Sequence, residues 1–396
     1  MSSWRRPGSI LLKGMDSGLR RNDNSQKLNP QPSNMKALIT AGGHATRLRP
    51  ITWNRNKHLI PMANKTMLAY AIDKIVDAGI TDIAVNINPG ESEIQKEIGD
   101  GSKHNCQITY IEQQGGAKGL AHIVKNAKDH GFLDGTPFLM YLGDNILLAD
   151  LSAMVKRFKN DEMNCLLALS KVPDPERFGV PEIIDGKIVR VEEKPSAPKS
   201  DYAITGIYLY DGHALDAVEN MKLSDRGEYE ITDIHQHYID NNLNIGYEEI
   251  TGWWKDTGKP EDLLIGNQFI LDEIKTGDVG VHGDAKVAQS ANIQGKVAIG
   301  KGTVIADGVL IRGPVTIGEN CVIHNAYIGP YTSIGSSCEI YETEIEHSII
   351  FDDVTIKCGK RIADSIIGKG ATVVAASESK PSGHKLIIGD NSLVEL

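Results

Sequence analysis

"VHGDAK VAQSAN IQGKVA IGKGTV IADGVL IRGPVT IGENCV" spans residues 281–322, and written six to a group it falls into columns. Val281, Val287, Ile293, Ile299, Ile305, Ile311, Ile317 and Ile323 recur at one constant spacing. Four places after each of the first seven stand Ala285, Ala291, Val297, Thr303, Val309, Val315 and Cys321, all small or β-branched. Gly or another small or polar residue fills the turns. This is a hexapeptide repeat, the signature of a parallel β-helix. Each hexad supplies one short face of a triangular coil. The aliphatic residue points into the axis, and the small residue four places on fits a tight corner. The frame slips by one near Ile328, resumes through Ile334 and Ile340, and continues loosely at Ile356, Ile362 and Val373, with Ile388 and Val394 as candidates to end it. Open ends and flat faces favour self-association, so a homo-oligomer through the coil is expected.

Upstream the texture differs. From Met35 strands and helices alternate: strand 36–41, helix 67–78 with Gly79 as its cap, strand 82–88, strand 108–112, helix 120–130 and strand 138–142. Such βαβ alternation predicts a mostly parallel sheet with helices on both faces. Ligands in these sheets sit at the carboxyl ends of the strands. Two candidate sites fall there, Gly42-Gly43 and Gly143-Asp144-Asn145. From about Cys165 to Ile250 the strands grow denser, as a second lobe inserted to cover the site would require. The expected domains are 35–275 and 276–396. Residues 1–34 carry six Lys and Arg against two Asp and almost no apolar period. They read as a disordered extension, or as sequence ahead of a biological start at Met35.

The net charge of −10 argues against non-specific binding to nucleic acid or a membrane surface. Five scattered cysteines, with no C-x-x-C pair, fit a reducing cytosol better than a disulfide framework or a zinc site. No apolar run approaches the ~20 residues a membrane span needs.

"GGHATRLRP", residues 42–50, follows the apolar Ala37-Leu38-Ile39. It is neither a Walker loop nor a dinucleotide fingerprint, and a Gly-Gly after a strand is most often only a turn. Arg47 within one turn and Lys57 in "NKHLIP" add two cations, which suit an anionic ligand. The ordinary fate of either is a solvated surface. Asp144 and Asp256 could hold magnesium, which prefers one or two carboxylates plus substrate phosphates. Both also sit in good turn chemistry, and spacing alone does not separate the readings. Ala45 is tolerable with φ below zero, and that is the expectation. A positive φ would mark a strained loop and count against efficient triphosphate binding.

Taken in order, "AGGHATRLRPIT", "NKHLIPMANKTM", "GDGS", "KGLAH", "YLGDN", "RFGV", "EEKP", "TGIYLYD", "RGEYEITD" and "WWKDTG" resemble the sugar-1-phosphate nucleotidylyltransferases. The resemblance is to the glucose-1-phosphate thymidylyltransferases in their long form, with a left-handed β-helix tail, and it covers roughly residues 35–396. It implies a Rossmann-like, mixed but mostly parallel sheet followed by a left-handed parallel β-helix. Gly42 and Gly43 would bring backbone N–H groups to the nucleotide. Arg47 and Lys57 would hold the triphosphate and departing pyrophosphate. Gln114 and Gly119 would read the pyrimidine, and Asp144 and Asp256 would coordinate Mg²⁺. Gly179, Glu193 and Tyr208 would line the sugar pocket, while Lys194 and Arg226 would bind the sugar phosphate. Arg47, Lys57 and Lys194 would be catalytic through charge. A sugar-1-phosphate oxygen attacks the α-phosphorus in line with pyrophosphate, so positioning and electrostatics dominate and neither a general base nor a covalent intermediate is needed.

Three departures bear on this. Ala45 replaces the last glycine of the usual first loop. Ala117 stands where the base-reading segment usually has Pro, and counting back from Gly119 selects Gln114 whereas counting forward from Tyr110 selects Gln113. Phe178 stands where an aromatic hydroxyl also occurs. The implied reaction uses dTTP and glucose 1-phosphate in the cytoplasm, with UTP as the open alternative for the nucleotide. Two other readings stand beside it. One is a bifunctional enzyme whose coil transfers acyl groups, with His282, His324, His347 and His384 as candidate bases against their ordinary fate as surface or corner residues. The other is a non-catalytic homologue, opposed by the joint presence of Arg47, Lys57, Asp144, Asp256 and Lys194.

Overall fold

The computed structural model describes residues 34–43, 45–147, 149–250, 254–274 and 279–375, with 255–256 and a two-residue strand at 4–5, paired antiparallel with Lys286–Ala288, described by backbone alone. Ile388, Val394, His384 and all of 1–34 except the 4–5 strand and Asn34 lie outside the described residues. Among the described residues two compact units are distinguished, one drawn from 34–60 and 66–258 and the other from the 4–5 strand, 61–65 and 259–375.

In chain order, the main strands of the first unit are Lys36–Thr40 (β1), Asp82–Ile87 (β2), Gln107–Glu112 (β3), Phe138–Leu142 (β4), Asn145–Leu147 (β5), Cys165–Lys171 (β6), Gly179–Ile184 (β7), Lys187–Glu193 (β8), Tyr202–Tyr210 (β9), Ile245–Glu249 (β10) and Trp254–Asp256 (β11). Seven of them form one sheet in the order β10-β6-β9-β4-β1-β2-β3. β1 runs parallel to β2 and β4, and β2 parallel to β3. β9 is antiparallel to both its neighbours.

The expected second lobe over 165–250 is therefore not a separate lobe. β6, β9 and β10 extend the same sheet, and only β7 and β8 form a ribbon of their own. Cys165, Leu166, Leu167, Ala168 and Leu169 are all buried, as a strand covered on both faces requires.

Side-chain alternation sorts β1 between two cores. Ala37 and Ile39 join Leu68, Ile72 and Ile75 of helix Met67–Asp77, whereas Leu38 joins Ile123, Val124 and Ala127 of helix Leu120–Asp129. Thr66 caps the first of these helices by accepting from the Ala69 N–H, and Gly79 follows its end at φ 84°. The chain order reverses where β1 lies between β2 and β4, which opens a crevice at their carboxyl ends. The Gly143 N–H donates to the Thr40 carbonyl at 3.0 Å, so the two candidate glycine turns emerge side by side.

The second unit is a left-handed parallel β-helix whose short strands stack into three parallel sheets. One interior column runs Val287, Ile305, Ile323, Ile340, Ile356, Val373, each in register with the next. The spacing is three hexads up to Ile323 and shorter by one residue at Ile340, which is the slip read from the sequence. Ile305, Ile311, Ile323, Ile328 and Ile340 are fully buried. Val281 departs from the pattern: it is 40% exposed, because among the described residues Gly280–Val281 pairs on one side, with the following coil. The corners turn through positive φ, taken by Gly302, Gly308 and Gly359 and by Asn320 and Asn325, but also by Tyr331, Glu342 and His347. Glycine adopts this conformation freely, whereas a side chain there costs about 1–2 kcal/mol. The coil's stacked interior must offset that cost.

Among the described residues no helix is long and apolar enough to cross a membrane.

Ile323→Ala removes a fully buried aliphatic side chain from the axis. It should destabilise the coil by about 2–5 kcal/mol, read as a shift in its denaturant midpoint.

Candidate active site

β1 continues through Ala41, whose N–H donates to the Asn86 carbonyl at 2.8 Å, and then meets Gly42 and Gly43. A Cβ on Gly42 would lie 3.1 Å from Asn88 Oδ1 and 3.5 Å from both Asn86 Nδ2 and Gln113 Oε1. Three carboxamides thus converge on the missing side chain. The Gly43 N–H, assigned by resemblance to the nucleotide, donates here to Asn88 Oδ1 at 3.1 Å. Both amide atoms of Asn86 are buried with no partner among the described residues.

His44 lies outside the described residues. Ala45 corrects the expectation of a negative φ: it sits at φ 42°, ψ 46°, in the left-handed region. Its carbonyl accepts from Thr52 Oγ1 at 2.8 Å and from the Leu48 N–H at 3.0 Å, and this anchors the turn Thr46–Leu48 that carries Arg47. Those two bonds hold a conformation that costs an alanine about 1–2 kcal/mol. The loop is strained, which counts against triphosphate binding as efficient as a glycine loop would give.

The next segment supplies Lys57. Asn56 accepts from the His58 N–H at 2.9 Å, contacts His58 Nδ1 at 2.8 Å and donates from Nδ2 to the Ala41 carbonyl at 3.3 Å. Lys57 Nζ then meets Asp144 Oδ2 at 2.5 Å, with both side chains largely withdrawn from water. Burial by itself would raise the Asp144 pKa, but the Lys57 ammonium and its hydrogen bond outweigh it and hold the carboxyl below its ordinary range. The pair's contribution to stability is thus present at neutral pH and lost only as pH falls through that depressed value. Burial, with Lys57 adding to it, pushes His58 down to about 4 against the pull of Asp144. His58 is neutral at pH 7.

A cavity of about 500 Å³ opens beside Asp144. Arg47, Asp144, Gly179, Glu193, Lys194 and Tyr208 all line it. In the β7–β8 ribbon Gly179 pairs with Glu193, and a Cβ on Gly179 would come within 2.7 Å of Thr232 Cγ2. Thr232 Oγ1 donates to Glu193 Oε2 at 3.4 Å. Lys194 Nζ and Arg226 Nη1 lie 3.7 and 3.6 Å from Glu193 Oε1, so both expected phosphate cations flank one carboxylate. Lys194 reaches this position with φ 46°, its N–H held by the Phe178 carbonyl at 2.9 Å. Burial raises the Glu193 pKa, assisted by Glu230 and opposed by Lys194 and Arg226. Burial likewise raises the Tyr208 phenol.

The remaining assignments lie elsewhere. Gly42, Gly43, Lys57, Gln114, Gly119 and Arg226 are not among the residues lining this cavity, although Lys57 and Arg226 reach lining carboxylates. Gln114 is exposed, while Gln113 is buried beside Gly42. Gly119, at φ 95°, is pressed against the chain, and a Cβ there would lie 2.4 Å from the Tyr229 carbonyl oxygen. The Asp256 side chain lies outside the described residues, but its backbone is in register with Asn145, the residue after Asp144.

A family model described as nucleotidyl transferase matches residues 36–273, and one described as GMPPB C-terminal domain matches 311–395. The chain belongs to the nucleotidyl transferase family. This nucleotidyl transferase is 39% identical over 365 residues to the low-salt glycan biosynthesis nucleotidyltransferase Agl11 of Haloferax volcanii, covering 91% of this chain and 100% of that protein. It is 39% identical over 364 residues to a glucose-1-phosphate thymidylyltransferase of Streptomyces antibioticus, covering 91% and 99%. A putative glucose-1-phosphate thymidylyltransferase from Bacillus anthracis, solved in complex with a sucrose, superposes with a TM-score of 0.57 at 38% identity, covering 61% of this chain and 97% of that one.

In this nucleotidyl transferase the cavity also takes in Thr232 and Trp254, which were not assigned from the sequence, and Asn145, which stood in a candidate turn without a role of its own. All three lay inside recognised motifs, yet nothing in their spacing set them apart from their neighbours. The cavity is lined by two cations, Arg47 and Lys194, by Asp144 with its lowered pKa and by Glu193 with its raised one. It suits two anionic substrates brought together.

Ala45→Gly should relieve the loop, raising stability by about 0.5–1 kcal/mol and lowering KM for the nucleoside triphosphate about twofold. Thermal melts and initial rates check this. His58 also sets an acid limit. An unfolded imidazole takes its proton near 6.5, whereas the folded one waits until about 4, so stability falls as pH drops across that window. The loss from this group is about 3 kcal/mol. Urea midpoints from pH 7 to 4 should show a slope that is shallower by about one proton in His58→Gln.

Proposed function

We propose that the protein transfers a thymidylyl group from dTTP to glucose 1-phosphate, giving dTDP-glucose and pyrophosphate. One observation carries this reading: a single cavity is lined by Arg47, Asp144, Glu193 and Lys194, with Lys57 paired to that Asp144 and Arg226 beside that Glu193. Likeness over most of both chains to a glucose-1-phosphate thymidylyltransferase supports the choice of substrates.

Lys194 and Arg226 bind the sugar phosphate, and Glu193 and Tyr208 accept and donate to sugar hydroxyls. Arg47 and Lys57 hold the triphosphate. An oxygen of the sugar phosphate attacks the α-phosphorus, the bond to the β-phosphate oxygen breaks, and pyrophosphate leaves with that electron pair. The attacking oxygen is already ionised, so no proton is moved. Asp144 and Asp256 are the residues to hold Mg²⁺. The hard oxygen donor set and the Asp256–Asn145 register support that assignment. When bound, Mg²⁺ neutralises phosphate charge as it builds up on the leaving group. Gln113, buried beside Gly42, is better situated than the exposed Gln114 to face the base.

A pyrophosphate-release screen of nucleoside triphosphates against sugar 1-phosphates tests the whole assignment. The fastest pair should be dTTP with glucose 1-phosphate. Equal rates with UTP would overturn the thymidylyl choice, and no release with any pair would overturn the reaction. Asp144→Asn should keep the fold at reduced stability, because Lys57 loses its partner, and lose turnover by about 10²–10³-fold.

A further inference from the structure

Three residues inside the recognised motifs have no part in the reading above: Asn145 of "YLGDN", Gly206 of "TGIYLYD" and Trp254 of "WWKDTG". In the structure they meet. Trp254 Nε1–H donates to Asn145 Oδ1 at 2.8 Å. An indole N–H can only donate, so the amide has a single acceptable orientation. Its Nδ2 must face away from the indole, and there it donates to Asp144 Oδ1 at 3.2 Å. Flipped, the amide would set N–H against N–H and oxygen against carboxylate.

Lys57 Nζ holds the other oxygen of the same carboxylate at 2.5 Å. Asp144 is therefore gripped at both oxygens by donors from different elements, and the plane of its carboxylate is set. The backbone around it is equally constrained. β11 pairs antiparallel with β5, Tyr141 Oη donates to the Asn145 carbonyl at 3.1 Å, and Thr257 Oγ1 donates to the Asp144 carbonyl at 2.8 Å. Gly206 makes room for the amide: a Cβ there would lie 2.7 Å from Asn145 Nδ2 and 2.5 Å from Leu142 Cγ. The Trp254 ring packs edge-on to Phe178 with centroids 5.8 Å apart, which keeps the indole N–H in line.

We propose that Trp254 and Asn145 are positioning residues that act through Asp144. The indole fixes the amide, and the amide fixes the carboxylate in the orientation a divalent cation accompanying the triphosphate needs. This rests on the reading of Asp144 as a ligand of that cation. Groups that orient a metal ligand without touching the metal typically govern affinity by tenfold or more.

Trp254→Phe keeps the ring and its contact with Phe178 but deletes the N–H. Asn145→Leu keeps the volume but deletes the amide. Mn²⁺ is titrated by electron paramagnetic resonance into each enzyme holding a non-hydrolysable dTTP analogue, with Asp144→Asn alongside and circular dichroism to check folding. Both variants should bind Mn²⁺ about tenfold more weakly. In Trp254→Phe, kcat should fall in proportion while KM for the sugar phosphate stays within about twofold of the parent. Wild-type Mn²⁺ affinity in Trp254→Phe or in Asn145→Leu, together with a loss in Asp144→Asn, overturns the relay and leaves the Asp144 reading intact. Wild-type affinity in all three overturns both. A sugar-phosphate KM that rises while Mn²⁺ affinity holds assigns Trp254 to packing against the sugar and likewise overturns the relay.

Discussion

The Lys57–Asp144 ion pair is the constraint around which the catalytic unit is organised. Two charges withdrawn from water are costly unless each meets its partner and further hydrogen bonds take up what remains. Here Lys57 and Asp144 meet at 2.5 Å, and Asn145 supplies a donor to the second carboxylate oxygen. Meeting that demand dictates much of the surrounding backbone. Gly143 must lack a side chain, since a Cβ would fall 2.5 Å from the Thr40 carbonyl oxygen. Asn56 must cap the turn that presents Lys57, and Thr257 must tie the second aspartate strand to the first. The neutral state of His58 follows from the same burial.

A second carboxylate lining the cavity is built on the reverse principle. Glu193 is flanked by two cations, yet burial and Glu230 raise its pKa. Asp144 is pushed down and Glu193 up, so two carboxylates in one cavity are tuned apart. Asp144 stays a fixed negative charge paired with Lys57. Glu193 sits beside the Thr232 hydroxyl, which donates to it, and shares the cavity lining with Tyr208. Several backbone positions around these groups are strained: Ala45 and Lys194 both have positive φ. Such strain persists where the surroundings over-determine the chain, and here it holds charged side chains at the cavity.

Much of this was legible in the residue order, for reasons that differ by region. The β-helix was legible because a hexad pattern admits one kind of coil, and the interior column follows the aliphatic spacing, including its slip before Ile340. The departure at Val281 reflects an end effect that periodicity does not contain. Two helices, Met67–Asp77 and Leu120–Asp129, and the first four strands of the catalytic unit follow from apolar spacing and glycine punctuation, with boundaries within a residue or two, whereas helices such as Leu151–Asn160 and Ile231–Asp240 were not read. The 165–250 region was misread as a separate lobe, because strand density does not say which strands pair. β6, β9 and β10 join the main sheet through long-range pairing that no local pattern encodes.

What the sequence determined by itself was the kind of elements, the coil's period and the inventory of charged and glycine residues, because these depend on neighbours along the chain. What only the tertiary structure decided was which of those residues meet. Gln113 rather than Gln114 turns inward, Ala45 takes a left-handed conformation because Thr52 and Leu48 catch its carbonyl, and Asn145 receives its orientation from an indole more than a hundred residues away. Each depends on a contact across the fold, and a hydrogen bond between distant segments leaves no periodic trace in the order of residues.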